Sequence, residues 1–297
     1  MKAFGNFGRA ALVCAMGLGV TLAGPATAKT LQPFLVFGDS LSDAGFFGGQ
    51  VTNGDTWAAQ LGATTELGNP TYNFAQAGAN ATGDNPNVAP LDPLDFDEQI
   101  TLFEAVAPPI RDTTTAVVWF GGNDLLGAAN AIIGQIENGT LDPFTASGVD
   151  AINAAVGATI ASTVGAITAG ITRLEGLGIT STIIAGLPDF GTIPRFISGD
   201  LAPLAPFASQ ATDLFNGSLW QVALALDASP DLDVQFFNTQ AVFDGLIAGS
   251  PGNGFTNPTG NCSADGALIA CQGYLYFDDI HPTDAAHGVV ASGLKAN

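Results

Sequence analysis

Ser40, His281 and an aspartate three positions before that histidine are the residues of this chain whose types and spacing could do chemistry together. Ser40 sits in Phe37-Gly38-Asp39-Ser40-Leu41-Ser42-Asp43, directly after the apolar run Phe34–Phe37. The distant partner segment is Asp278-Asp279-Ile280-His281-Pro282-Thr283. A serine hydroxyl is a weak nucleophile until a base takes its proton, and the base needs an acid to fix its tautomer. The chain offers two histidines, His281 and His287. His281 has the acid spacing and a turn stiffened by Pro282. His287 falls in the last helical stretch, where it caps or packs. Asp278 suits the imidazole Nδ1–H; Asp279 is the alternative, but points elsewhere if the segment curls like a helical turn.

An acyl transfer also needs hydrogen-bond donors for the oxyanion. Gly121-Gly122-Asn123-Asp124 lets backbone and an amide side chain approach a reacting atom. A second glycine-bearing loop, Asn73 to Asn80, offers the Gly78 N–H. The Ser40 N–H would be the third donor.

The elements that must position these groups alternate along the chain. Phe34–Phe37, Ala116–Phe120, Thr180–Gly186 and Val234–Asn238 are β-branched or aromatic runs, as strands buried on both faces should be. Helical stretches cover 55–62, 97–106, 149–176, 207–227 and 283–294, with Asp95 or Asp97 as a candidate cap of the second. Such alternation predicts a mostly parallel sheet covered on both faces. Ser40, Asn123 and the segment after Tyr274–Phe277 all follow predicted strands. On a parallel sheet those ends share one edge, and hence one crevice. The 149–176 stretch is apolar enough to suggest a membrane span, but its Gly and Thr content and the terminal Arg173 and Glu175 argue against one.

Composition bounds the function. Of 297 residues 47% are hydrophobic and 11% charged, which supports a sizeable core. The net charge of −20 repels phosphate backbones, so nucleic acid is excluded as a partner, and no basic stripe exists for anionic lipid. Residues 1–28 read as a secretory signal: Lys2 and Arg9, a short apolar segment from Ala10 to Ala23, then Ala26-Thr27-Ala28 as the cleavage site. The expectation is a secreted or periplasmic protein without a stable membrane anchor, folded as a single domain over 29–297. Cleavage removes Cys14 and leaves Cys262 and Cys271, an even pair expected to bridge in an oxidising compartment. Two cysteines without a nearby histidine make too few ligands for a metal. The acidic cluster Asp84, Asp92, Asp95, Asp97 and Glu98 fits no calcium-loop spacing and reads as a solvated face. No cofactor motif stands out.

Four blocks in order carry a family resemblance: Gly38-Asp39-Ser40-Leu41-Ser42-Asp43, Asn73-Phe74-Ala75-x-x-Gly78-Ala79, Gly121-x-Asn123-Asp124 and Asp278-x-x-His281-Pro282-Thr283. The chain resembles the GDSL, or SGNH, hydrolases, a family of secreted esterases and lipases. Thr52-Asn53-Gly54-x-x-Trp57 and Leu94-x-x-x-x-Gln99 are similar to linking segments of its secreted members. Ala77 stands where many relatives carry Gly. The resemblance implies a three-layer α/β/α, flavodoxin-like fold, Ser40 as nucleophile, Ser40, Gly78 and Asn123 as oxyanion donors, and Asp278–His281 as the acid/base pair. The chain has no Gly-x-Ser-x-Gly elbow.

The leading expectation is a serine hydrolase of small-molecule or lipid carboxylic esters. A phospholipase or lipid acyltransferase would use the same residues, and the loop Ala44–Gly49 could meet acyl chains or simply pack. A surface or carbohydrate-binding protein on a decayed scaffold is the third reading, but the intact Ser, Asn, Asp and His oppose it.

Overall fold

Five short strands, each followed by a helix or a helical turn, build the sheet that the sequence predicts, in a computed structural model that describes residues 33–45, 51–66, 71–83, 93–106, 113–267 and 271–296. In chain order they are β1 (Phe34–Gly38), β2 (Tyr72–Asn73), β3 (Thr115–Trp119), β4 (Ser181–Ala185) and β5 (Asp233–Phe237). All pair in parallel, in the order β2-β1-β3-β4-β5. This is the flavodoxin-like doubly wound order, whose crevice opens where the chain turns from one side of β1 to the other. Every residue of β1 is buried, which explains its continuous apolar run.

The helices are α1 (Trp57–Gln60), α2 (Phe96–Val106), α3 (Gly122–Glu137), α4 (Ala146–Gly176), α5 (Pro194–Ile197), α6 (Ala205–Asp227), α7 (Thr239–Ala248) and α8 (Asp284–Ala296). Alternation along β1 sorts them into two layers. Phe34 stacks on Trp57 of α1, whereas Phe37 meets Phe96 and Phe103 of α2 on the opposite face. Helices α3, α4 and α6 join α2; α7 and α8 join α1. The Phe96 ring of α2 packs directly on the α4 backbone at Gly170, where a Cβ would lie 2.2 Å from it. Helix α4 is long and apolar enough to cross a membrane by length and composition. Its Ile152, Ile160, Ile167, Ile171 and Leu174 are buried among the neighbouring helices and sheet.

Besides β2, which falls in a stretch that reads as a loop, three features differ from the sequence expectation. Helix α3 starts on two glycines and carries Gly127 and Gly134 besides, a low-propensity composition that conceals it. Helix α7, absent from the sequence reading, follows at once on the predicted strand, whose last residue Asn238 is its cap: the side chain accepts from the Ala241 N–H at 2.9 Å. The aromatic run Tyr274–Phe277 does not join the main sheet. Its residues Tyr274–Tyr276 form β7, paired with β6 (Asn257–Asn261) in a separate two-stranded ribbon. His281 therefore reaches the crevice by a different route from Ser40 and Asn123. The proposed signal segment, Asp84, Asp92 and most of the Ala44–Gly49 loop lie outside the described residues.

Candidate active site

The turn after β1 is shaped by its own aspartates. The Asp39 carbonyl accepts from Ser42 and Asp43 N–H, and its carboxylate accepts from Leu41 N–H at 2.9 Å. That tight turn leaves Ser40 at the sheet edge, 8% exposed. Gln99 of α2 clamps Gly38, the last residue of β1: Gly38 N–H donates to Gln99 Oε1 at 3.0 Å, and Gln99 Nε2 donates to the Gly38 carbonyl at 2.8 Å. The next loop is tied to the same turn. Asn73 donates to the Ser42 carbonyl at 2.7 Å, and Ala77 N–H donates to the Asp43 carboxylate at 2.9 Å. Gly78 follows with φ +92°, a conformation that glycine adopts without strain. Asn123, in the first turn of α3, donates through Nδ2 to the Ala79 carbonyl at 2.8 Å, which joins the two glycine-bearing loops. Asp124 fixes the same junction by accepting from Ala81 N–H and from the Thr82 hydroxyl.

The histidine arrives from the ribbon. Phe277 N–H donates to the His281 carbonyl at 2.8 Å, closing the turn. Asp278 Oδ1 accepts the N–H groups of Ile280 and His281, while Oδ2 lies 2.7 Å from His281 Nδ1. On the far side of the ring, His281 Nε2 lies 2.9 Å from Ser40 Oγ. An ionised Asp278 takes the Nδ1–H, so the Nε2 lone pair faces the serine hydroxyl. Burial pushes the Asp278 carboxyl up, but the imidazole bond, its charge and the two backbone N–H groups together bring it below the ordinary carboxylate range.

The ambiguity between neighbouring acids disappears here. Asp279 turns away into an ion pair with Arg195 Nε at 2.8 Å, and its carbonyl accepts from Arg195 N–H. His287 is fully buried on α8, and its Nδ1 has no hydrogen-bond partner among the described residues. Burial, reinforced by His281, pulls its pKa down to about 3. Thr52 donates to the Pro282 carbonyl at 2.9 Å, Asp284 N–H donates to Asn53, and Gln60 donates to Asp284. The linking blocks that resemble the family thus brace the two sides of the site: Gln99 the serine turn, Thr52 and Asn53 the histidine turn.

Cys262 and Cys271 are disulfide-bonded, with Cα atoms 5.5 Å apart. Around them Ser263 N–H donates to the Phe277 carbonyl, so the bridged loop supports the strand that leads to Asp278.

Asp39 is the site group whose state the sequence does not announce. Its carboxyl is buried beside the first turn of α3. Burial raises its pKa to about 7, with Asp124 adding to the rise and the Leu41 N–H and His281 opposing it. Of the acidic cluster, Asp95 and Glu98 serve the start of α2, where Glu98 accepts from the Asp95 N–H, and Asp97 pairs with Arg173. Among the described residues no group of three or more His, Cys, Asp or Glu is placed to hold a metal ion.

A serine hydrogen-bonded to an imidazole that is held by a carboxylate, beside a glycine-lined rim with an amide donor, is the arrangement of a serine hydrolase. The chain belongs to the GDSL-like lipase/acylhydrolase family, whose model matches residues 34–294, and is by class a carboxylic ester hydrolase. No curated protein sequence matches it. Among solved structures it is similar to a lipase from a goat rumen metagenome, at 14% identity and TM-score 0.48 over 89% of this chain and 95% of that one. It is also similar to an extracellular lipase of Streptomyces rimosus, at 18% identity and TM-score 0.45 over 88% and 98%. A third is an acetylxylan esterase of Geobacillus stearothermophilus, at 14% and 0.45 over 88% and 91%.

Proposed function

We propose that the protein is an exported esterase that works through an acyl-enzyme on Ser40. The observation that carries the reading is the continuous hydrogen-bonded chain Ser40–His281–Asp278. His281 Nε2 takes the hydroxyl proton as Ser40 Oγ attacks the ester carbonyl, and Asp278 stabilises the imidazolium. The tetrahedral oxyanion is held by the Ser40 and Gly78 N–H groups and the Asn123 amide. An amide NH₂ carries two N–H bonds, so the bond to Ala79 orients Asn123 without using up its donors. Collapse breaks the C–O bond, and the imidazolium protonates the departing alkoxide. Water, deprotonated by His281, then attacks the acyl carbon; the bond from that carbon to Ser40 Oγ breaks, the imidazolium returns the proton to Oγ, and the carboxylic acid leaves. Export is supported by the signal-like residues 1–28 and by a cysteine pair that is even once they are removed.

A fluorophosphonate probe tests the nucleophile: the wild-type protein should be labelled and should hydrolyse p-nitrophenyl acetate, and Ser40→Ala should do neither. Labelling that persists in the variant would move the nucleophile to another serine. The start of the exported chain, read by intact mass, tests the cleavage after Ala28.

A further inference from the structure

We propose that the crevice between α6 and the edge strand β5 is a carbohydrate-binding site, apart from the catalytic centre, in which a pyranose ring of a neutral glycan stacks on Trp220. The inference stands on a different part of the molecule from the esterase reading and does not depend on it.

The crevice holds about 500 Å³. Strand β5 is three steps from β1 in the sheet order, so it lies about 14 Å across the sheet from the strand that leads to Ser40. The α6 wall is one helical stripe, Asp213, Gly217, Trp220 and Leu224, which rises about 16 Å. That length suits a short oligosaccharide rather than a single ring. Trp220 is 48% exposed partway along the stripe. An indole offers a wide, flat apolar face, which matches the C–H face of a pyranose. Gly217, one turn earlier, leaves the approach clear: nothing lies within 4 Å of the place a Cβ would occupy there.

The polar end of the crevice is held in place by a relay of amides. Buried Asn216 accepts from the Leu187 N–H at 2.8 Å and donates to the Leu187 carbonyl at 2.9 Å and to Gln240 Oε1 at 2.9 Å. Gln240 Nε2 in turn donates to Asp213 Oδ1 at 2.7 Å. This relay fixes Gln240 and Asp213 on the wall, and it leaves the second N–H of Gln240 as a donor and Asp213 Oδ2 as an acceptor. Asn238 adds an amide at the same end, with its oxygen engaged in the α7 cap. Fixed donors and acceptors on planar side chains, beside an aromatic face, suit the vicinal hydroxyls of a sugar; a hydrocarbon tail would leave them unsatisfied. Among the described residues Asp213 is the one charged group of the lining. Its carboxylate repels phosphate, sulfate and uronate groups, so the glycan that fits is neutral.

The protein carries its own reporter. Of its three tryptophans, Trp57 and Trp119 are fully buried, so the indole that solvent can reach is Trp220. Cellohexaose and xylohexaose are the probes, with polygalacturonate as the anionic control. At least one of the neutral glycans should reduce acrylamide quenching of the indole emission about twofold or more, and polygalacturonate should not. By calorimetry, Trp220→Ala should weaken that binding about tenfold or more, whereas Trp220→Tyr, which keeps an aromatic face, should stay within about fivefold of wild type. Hydrolysis of p-nitrophenyl acetate should stay within about twofold in both variants, since neither touches the catalytic residues. Shielding by neither glycan would overturn the proposal, as would binding that survives Trp220→Ala. If Trp220→Ala does not fold, Asp213→Ala decides: an affinity equal to that of wild type overturns the site, and a loss of about threefold or more supports it. A wild-type protein that sediments as a dimer, with Trp220→Ala a monomer, would give the crevice to a second copy of the chain and overturn the proposal too. The glycan measurements need no turnover, so a protein that hydrolyses no ester would sink the esterase reading and leave this test intact.

Discussion

The serine side and the histidine side of this site are held by different physics. Ser40 leaves a fully buried strand flanked by β2 and β3 in a five-stranded sheet, and its turn is clamped from α2 by both ends of the Gln99 amide. His281 hangs from a two-stranded ribbon of eight residues outside that sheet, held by a disulfide, one ion pair and side-chain bonds from residues 52–60. The nucleophile inherits the stability of the sheet, whereas the base reaches the core only through Leu275 and Tyr276 of β7 and otherwise depends on local ties. Strand β6 and the turn from Phe277 to His281 are only half-buried. Segments with fewer buried apolar contacts open at lower free energy, so that turn should be the first to loosen.

The largest expected effect separates the two histidines. His281→Ala should lower kcat by about 10⁴–10⁶, the range for removing a triad base. His287→Ala should lose stability but keep kcat within a few-fold, since His287 is buried on α8 and touches neither Ser40 nor Asp278 in the described bonding. The reverse pattern would place the base on the wrong element and remove the contrast drawn above. Asn123→Ala follows. It should cost about 10²–10³ in kcat with little change in KM, because the donor acts mainly on the transition state. A rise in KM at constant kcat would make Asn123 a ground-state binder.

Much of the serine side was legible from sequence because it obeys short-range rules. Buried parallel strands are continuous β-branched or aromatic runs, so β1 and β3 read clearly, and with them the ends that carry Ser40 and Asn123. The spacing of Asp278 and His281 was legible too, but the choice between Asp278 and Asp279 hung on whether the turn curls, and the ion pair of Asp279 with Arg195 is what separates them. What was not legible rests on contacts between distant residues. The ribbon strand Asn257-Pro258-Thr259-Gly260-Asn261 has no hydrophobic alternation to announce it, since little of it is buried. The Arg195–Asp279 pair joins residues 84 apart. The state of Asp39 comes from its burial, and burial is a property of the packed whole.

The next prediction sharpens the difference in stability. Gln99→Leu strips the side-chain acceptor from the buried Gly38 N–H, at about 1–3 kcal/mol for that group left unsatisfied, while the Gly38 carbonyl keeps the Gln76 N–H. Reducing the Cys262–Cys271 bridge should cost about 2–3 kcal/mol on the chain-entropy model. The two perturbations should be distinguishable by hydrogen exchange. Reduction should speed exchange at Phe277, Ile280 and His281 and leave Phe37 and Gly38 unchanged; Gln99→Leu should speed exchange at Gly38. Equal acceleration of both sides on reduction would mean one cooperative unit. Free thiols in the native exported protein would mean that packing alone holds the ribbon.

The smallest effect sets one buried titratable group from each side against the other. Asp39, on the serine side, has its pKa raised to about 7. The folded state therefore holds a proton that the unfolded chain releases above its ordinary value of 3.8, and stability falls as pH rises from there to about 7. His287, on the helix that follows the histidine turn, has its pKa lowered to about 3 from 6.5. The unfolded chain takes up the proton first, so stability falls as pH drops through 6.5 toward 3. Each slope is at most about 1.4 kcal/mol per pH unit, and between pH 4 and 6.5 the two oppose each other. Asp39→Asn should remove the first, so its stability should climb with pH more steeply than the wild type's across that window. His287→Gln should remove the second and tilt the curve the other way. Chemical denaturation at half-unit pH steps measures both differences, and the remaining carboxylates, Asp278 among them, cancel between variant and wild type. Parallel curves for Asp39→Asn and wild type would mean that Asp39 is ionised in the fold, as a carboxylate that α3 and His281 together hold charged.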